Sequence, residues 1–371
     1  MTLDIGVLGY RFMGKAHANA LARLPMFFPD APDVNRHVLI GRDETALESA
    51  ADQLGFSHTS TEWADVISEV DVLYNLGPNH VHVEPSIAAL DADVSVFCEK
   101  PLAPTLSAAE RMAEAARDSD AVAGIAFNYR YLPAVQYARQ RIMNGDLGEI
   151  HHVRARYLQD WLVDPDATWS WRLSEEMAGS GSLGDLGAHS IDLARFLLGA
   201  ENGKIDRVSG QLRTFIDERP VSAENERTRP VTVDDAYSAQ VTFASGAMGT
   251  FEASRFATGH ENNNTIEING SAGSLRFSLE RLNELELLEP GDRGFQTIMV
   301  TDPDDPYIDH WWPPGHTIGW EHTFVHENYE FLKSVHNDTS YTPSFADGLA
   351  VQRVLDAIEQ SDERGEWIEI E

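Results

Sequence analysis

Leu3-Asp4-Ile5-Gly6-Val7-Leu8-Gly9-Tyr10-Arg11-Phe12-Met13-Gly14 decides how the chain begins to fold. Leu3–Leu8 is a short apolar run of strand length, and Lys15–Leu24 beyond it has helical spacing. The turn joining them carries glycine at both ends. Gly9 permits the tight exit from the strand, and Gly14 lets the helix lie close to the sheet. Moving outward, His37–Ile40 predicts a strand and Glu44–Leu54 a helix, then Asp71–Leu76 a strand and Val81–Leu90 a helix. Val94–Cys98, Ser107–Asp118 and Val122–Phe127 continue as strand, helix and strand. Such alternation implies βαβ units: a doubly wound parallel sheet with helices on both faces.

The pattern changes near Ala121–Tyr131. After a helix at Ala134–Met143, Ile150–Leu158 alternates like a half-exposed strand, and a helix is predicted over Leu183–Leu198. Strand runs follow at Val208–Ile216, Ala236–Phe243, Ala247–Ser254, Thr265–Ile268, Ser274–Ser278 and Glu284–Leu288, with Ser245-Gly246 as a hairpin turn. Pro220–Pro230 reads as an exposed acidic loop, and His322–Val335 and Phe345–Gln360 as closing helices. The expected class is α/β. A parallel-sheet domain is expected over residues 1–125, and over 126–371 an α+β domain with a large, open, mostly antiparallel sheet, exposed or oligomer-forming on one face.

The 371 residues suffice for two domains, and the formal charge of −32 argues against a broad nucleic-acid or anionic-membrane surface. A single cysteine, Cys98, excludes an intrachain disulfide and a multi-thiolate zinc site, and no histidine cluster has metal-ligand spacing. The opening residues lack a basic and apolar leader, and no run of about 18 apolar residues is present, so a cytoplasmic protein is expected. Lys15, Lys100, Lys204 and Lys333 are the only lysines. So acidic and lysine-poor a chain suits a salt-accumulating cell, where a Debye length of about 3 Å at 1 M screens its self-repulsion.

Gly9–Gly14 sits where a dinucleotide fingerprint belongs, directly after a strand and opening a helix whose free N–H groups favour a pyrophosphate. The middle glycine of that fingerprint is replaced by Arg11, which either shifts the phosphates or supplies a guanidinium to them; Phe12 and Met13 complete the turn. The second strand ends at Ile40-Gly41-Arg42-Asp43. Glycine followed by arginine leaves room and charge for a 2′-phosphate and favours NADP, while Asp43 keeps NAD open.

Glu99-Lys100-Pro101 follows a strand at the carboxyl edge of the parallel sheet, where ligands bind in such folds. Asp185, His189 and Asp192 share one helical stripe, and an Asp beside a His holds its ring and stabilises the imidazolium formed when it takes a proton. Gly184 and Gly187 cost about 1 kcal/mol each in helix propensity, tolerable where something approaches the backbone.

Together these residues resemble the Gfo/Idh/MocA oxidoreductases, named for glucose–fructose oxidoreductase and inositol dehydrogenase. The match rests on Gly9–Gly14 running into Lys15-Ala16-His17, on Pro78-Asn79, on Glu99-Lys100-Pro101 and on Asp185-x-Gly187-x-His189-x-x-Asp192. Four further stretches, 25–28, 126–130, 157–161 and 343–348, look most like its levoglucosan dehydrogenase sub-family. The resemblance implies a Rossmann domain and catalytic roles for Lys100, Asp185 and His189. Gly9, Arg11, Phe12, Met13, Gly14, Gly41, Arg42, Pro78, Asn79, His82 and Glu99 would bind NADP or NAD. Asn128, Tyr129, Gln159, Trp161, Trp171, Arg172, Asp192 and His322 would face a sugar, anhydrosugar or cyclitol, with Arg130 and Asp160 nearby. It also implies a homodimer or homotetramer formed through the outer face of the second sheet.

Overall fold

In the computed structural model, residues 2–222 and 225–370 are described. The first third forms β1 (Leu3–Leu8), α1 (Phe12–Phe27), β2 (Val34–Ile40), α2 (Glu44–Leu54), β3 (His58–Ser60) and β4 (Val72–Asn75). It continues as α3 (Val83–Asp91), β5 (Ser95–Cys98), α4 (Leu106–Asp118) and β6 (Ala123–Ile125). The six strands are all parallel, in the order β3-β2-β1-β4-β5-β6. This is the doubly wound order expected, and it reverses at β1 and β4. Their apolar runs are buried on both faces, as covering helices require; β4 and β5 are buried throughout. Gly9, Gly41, Pro78 and Glu99 emerge at the carboxyl ends of β1, β2, β4 and β5.

Local signals place the helices. Asp43 caps α2 by accepting the Ala46 N–H at 3.1 Å, and Gly55 closes it at φ 74°. Thr105 caps α4 through the Ala108 N–H. Helix α1 has neither a side-chain cap nor an acidic residue in its first turn.

The second part contains α5 (Pro133–Met143), β7 (Ile150–Leu158), α6 (Glu175–Ala178), α7 (Ala188–Leu198), β8 (Ile205–Arg213), β9 (Glu218–Ser222) and β10 (Asn225–Pro230). Then come β11 (Ala236–Phe243), β12 (Met248–Ser254), β13 (Asn263–Gly270), β14 (Ser274–Ser278), β15 (Glu284–Leu288) and β16 (Gln296–Met299). The chain ends with α8 (Glu321–Asn337), α9 (Phe345–Arg364) and β17 (Ile368–Glu369). Nine strands pair in the order β16-β15-β14-β13-β7-β12-β11-β8-β17, antiparallel except for β7 with β12. One face packs Val153, Ala155, Phe251, Ala253, Ile266 and Ile268 inward, and α7 lies on it. The other face exposes residues such as Arg154, Arg156, Met248 and Glu252.

The chain divides into two compact units, Met1–Tyr131 with Gly319–Ala350, and Leu132–Ile318 with Val351–Glu371. The sequence reading cuts it once, after residue 125. In the structure α8 instead packs against α1, so a late segment belongs to the first unit. Pro220–Pro230, expected to be a loop, is mostly the antiparallel pair β9–β10, with residues 223 and 224 outside the described residues. The charge of Arg219 hides the reason. Its side chain is fully buried and donates to the carbonyls of Asp164 and Leu162, beside a small core of Leu162, Leu173, Val231 and Val233.

No helix among the described residues is long and apolar enough to cross a membrane.

Two stability tests follow from the packing. A methyl at Gly14 would stand 2.2 Å from the Gly9 carbonyl oxygen, whereas at Gly246 (φ 87°) nothing lies within 4 Å. Gly14→Ala is expected to cost about 3 kcal/mol in denaturant melts and Gly246→Ala about 1 kcal/mol; equal costs would refute the close approach. On α9, burial first, then the charges of Asp234, Asp356, Glu175 and Glu363, push Glu359 up to about 8. Between the unfolded value near 4.5 and that pH the folded protein holds a proton the unfolded chain releases, so stability falls as pH rises. Glu359→Gln should therefore stabilise at pH 8, on the order of 2 kcal/mol, and not at pH 4.

Candidate active site

The residues singled out from the sequence divide between the two units. In the first, Gly9 takes φ 106° and donates its N–H to the Ile40 carbonyl, so the chain leaves β1 sharply. Any side chain there would meet the Leu76 carbonyl oxygen at 2.8 Å. Arg11 occupies the cap position of α1, and both it and Phe12 are exposed, with Met13 half-buried. The uncapped first-turn N–H groups, the absence of a carboxylate in that turn and the exposed Arg11 together fit an anionic pyrophosphate.

The expected room at Gly41 is not open. A side chain there would lie 2.4 Å from the ring of Tyr10, which fills that space, so glycine is needed for packing. Arg42 is exposed, and the Asp43 carboxylate is engaged in capping α2.

Pro78 leads into a single helical turn at Asn79–Val81, and Asn79 is buried. His82, expected to line a nicotinamide, is fully buried. Its two ring nitrogens lie 3.0 Å from the carbonyl oxygens of Pro101 and Gly77, so the single N–H of the neutral ring donates to one of these two loops. Burial holds its pKa below the usual histidine range. Glu99 is buried, and its Oε2 accepts the Lys100 backbone N–H at 3.1 Å, with Lys100 itself half-buried.

Asn128, Tyr129, Arg130 and His322 are buried in the same unit. Asn128 donates to Thr323 Oγ1 at 2.8 Å, and Arg130 pairs with Asp347. His322 Nδ1 accepts the Gly319 N–H; burial, then the Arg23 charge, lowers its pKa. Trp320 carries no sequence signal; its ring stacks on exposed Phe12 at 5.5 Å and its Nε1 donates to Tyr129 Oη at 3.4 Å. It carries no motif, and only folding brings it beside the turn at residues 9–14.

In the second unit, the helix expected over Leu183–Leu198 opens as a π turn, Leu183–Gly187, before α7 begins. Such turns recur at functional sites because the widened ring re-aims its side chains. Asp185 is half-buried, His189 is 8% exposed and Asp192 is 1% exposed. Tyr157 sets its ring 6.0 Å from that of His189. The helix presses so close to Tyr237 that a side chain at Gly187 would be 2.7 Å from that ring. Here the cost of glycine serves a close approach, as expected.

Asp234, which no motif marks, anchors the turn. Its carboxylate accepts the Gly181 N–H at 2.6 Å, the Ser182 hydroxyl at 2.5 Å and the Leu183 N–H at 2.9 Å. Its sequence signal was the pair Asp234-Asp235 abutting a buried strand, where charge needs partners. Gln159 and Tyr157 both donate to Asn262 Oδ1, and the Asp160 carboxylate accepts the Gly259 N–H. Trp161 is 44% exposed, while half-buried Trp171 stacks under the Arg172 guanidinium at 4.6 Å. No group of three or more acidic, histidine or cysteine side chains with metal-binding geometry occurs among the described residues.

Residues 3–127 match the oxidoreductase family with NAD-binding Rossmann fold, and residues 135–276 match the GFO/IDH/MocA C-terminal domain. The chain is 39% identical to levoglucosan dehydrogenase of Pseudarthrobacter phenanthrenivorans, over 99% of this chain and 98% of that one. A crystal structure of an oxidoreductase domain protein from Kribbella flavida superposes with a TM-score of 0.95 at 45% identity, covering all of both chains. A levoglucosan dehydrogenase structure in complex with NADH and levoglucosan does so with a TM-score of 0.95 at 39% identity, again covering both chains fully. With both of its parts matched and relatives aligned over nearly its whole length, the chain belongs to the Gfo/Idh/MocA oxidoreductase family.

Proposed function

We propose that the protein is an NAD(P)-dependent dehydrogenase of a hydroxyl group on a sugar, anhydrosugar or cyclitol. The observation that carries this reading is the full-length similarity to a levoglucosan dehydrogenase of a chain whose sequence carries Lys100 in Glu99-Lys100-Pro101 and Asp185 and His189 in the motif that ends at Asp192. The chemistry supplied by a bound NAD(P)⁺ is hydride acceptance at its nicotinamide ring. Gly9, Arg11, Phe12, Met13 and Gly14 would hold the pyrophosphate, Arg42 the adenosine end, and Pro78, Asn79 and Glu99 the nicotinamide end. His189 takes the hydroxyl proton as the carbon is oxidised, and Asp185 steadies the imidazolium that results. Lys100 hydrogen-bonds the reacting oxygen and offsets the negative charge it develops. Asn128, Tyr129, Gln159, Trp161, Trp171, Arg172, Asp192 and His322 are the candidates for the remaining hydroxyls and the apolar ring face.

NADP is the favoured cofactor in this reading, because β2 ends without a carboxylate, Arg42 is exposed and Asp43 is committed to its cap. The test is a panel of monosaccharides, anhydrosugars and inositols with each cofactor in molar salt, followed by nicotinamide absorbance. Free reduced cofactor should accumulate with at least one sugar. Lys100→Ala and His189→Ala should each lower kcat by about 10²-fold or more. Turnover of a sugar without net reduced cofactor would mean that the cofactor is used only transiently. Unchanged variants would mean a non-catalytic nucleotide-binding protein.

The protein works as a homodimer or homotetramer in the cytoplasm of a salt-accumulating cell. The outer face of the nine-stranded sheet supports this assembly: it forms a concavity of about 890 Å³, lined by residues such as Arg154, Arg156, Gln240, Glu252 and Arg276. Light scattering should give a multiple of the chain mass in molar salt, with unfolding in dilute buffer. A monomer in high salt would sink the assembly, and full activity in dilute buffer would sink the saline origin.

A further inference from the structure

A buried cluster of ionisable groups inside the first unit joins Glu99 to two residues, His17 and Glu327, that have no role in the chemistry assigned above. His17, on α1, is completely buried, and its Nε2 lies 3.3 Å from Glu99 Oε1. The same nitrogen is 4.0 Å from Glu327 Oε1 on α8. On its other side, Nδ1 lies 3.0 Å from Asn328 Nδ2. The orientation of that amide is set because Nδ2 also donates to the Phe324 carbonyl at 2.7 Å, where an amide oxygen would face another oxygen. Nδ1 is therefore an acceptor, and the ring proton sits on Nε2, aimed at Glu99. Tyr74, Phe97 and Phe324 meet the imidazole at 5.7, 5.6 and 5.2 Å and leave it little freedom to turn.

Glu327 is also completely buried, and neither of its oxygens has a hydrogen-bond partner. Burial first, then the charge of Glu99, holds its pKa well above the usual carboxylate range, so it stays protonated. The two oxygens of Glu99 have different partners. Oε1 receives the His17 Nε2 proton, and Oε2 receives the backbone N–H of Lys100.

We propose that His17 is a positioning residue for Lys100: by holding one oxygen of Glu99, it aims the other at the Lys100 N–H and sets the backbone on which the lysine is mounted. This rests on the reading that Lys100 acts on the substrate oxygen. Without the imidazole, Glu99 Oε1 would be buried without this donor and the carboxylate would turn to find another.

The test uses His17→Phe, which keeps a ring among its aromatic neighbours and removes the donor, and His17→Gln, which restores an N–H. Three readouts are taken in the full protein: thermal unfolding, steady-state kinetics, and amide hydrogen exchange of the peptide containing Glu99 and Lys100. For His17→Phe, kcat should fall at least tenfold with sugar KM changed less than twofold. Exchange at Lys100 should accelerate at least tenfold, and His17→Gln should recover most of both. Unchanged exchange at Lys100 in a folded His17→Phe protein overturns the proposal. So does kcat within twofold of the parent when Lys100→Ala is inactive. An active Lys100→Ala protein instead removes the catalytic reading, and the exchange result then still decides the link from His17 to Lys100. Should His17→Phe not fold, His17→Gln decides: near-parental kcat and exchange support the link, and a tenfold fall in kcat with parental exchange overturns it.

Discussion

Helix α1 approaches the turn that opens it so closely that the position of a methyl on Gly14 is already taken by the Gly9 carbonyl. This steric constraint organises the first unit. It directs the uncapped N–H groups of the helix outward beside Arg11. It also sinks His17, three residues past Gly14, into the layer of Tyr74 and Phe97 on β4 and β5. From there the imidazole reaches Glu99, and Glu99 holds the backbone of Lys100. Steric fit and a buried hydrogen bond thus lead, link by link, to the backbone of Lys100.

The second unit solves the same problem with another carboxylate. Asp234 collects two backbone N–H groups and a hydroxyl from residues 181–183, at the entry to the π turn that bears Asp185. Gly181 has no alternative there, since a side chain would overlap the Asp234 carbonyl oxygen. Arg255, fully buried, donates to that same carbonyl at 2.8 Å. In both units a buried acid is tied to the backbone beside a segment that carries a candidate catalytic residue. A carboxylate with two lone-pair-rich oxygens accepts several donors at once, and its hydrogen bonds strengthen away from water.

The outer sheet face shows the opposite balance. Arg154 and Arg276 both pair with Glu267 at the surface, where such pairs contribute little to the stability of a single chain. Exposed Met248 and the Arg207–Trp367 stack lie on the same sheet. Charged groups of both signs among apolar ones suit a surface whose energetics change with salt and with contact.

Much of the architecture was legible in the residues alone. Glu44–Leu54, Ile150–Leu158, Ala236–Phe243, Ser274–Ser278 and Glu284–Leu288 have the bounds read from the sequence, because caps and alternation act over a few residues. The same locality exposed the turn at Gly9–Gly14 and the motifs around Lys100 and His189. The short strands β3, β16 and β17 and the pair β9–β10 were not legible, since their hydrogen bonds come from residues distant along the chain or from charged side chains folded inward. Tertiary structure alone decided that Tyr10 fills the space at Gly41, that His82 faces two carbonyls, that Trp320 stacks on Phe12, and that residues 183–187 widen into a π turn. Periodicity and spacing report which side of an element a residue takes. What that side meets depends on contacts across the fold, and these exist only once the chain has closed.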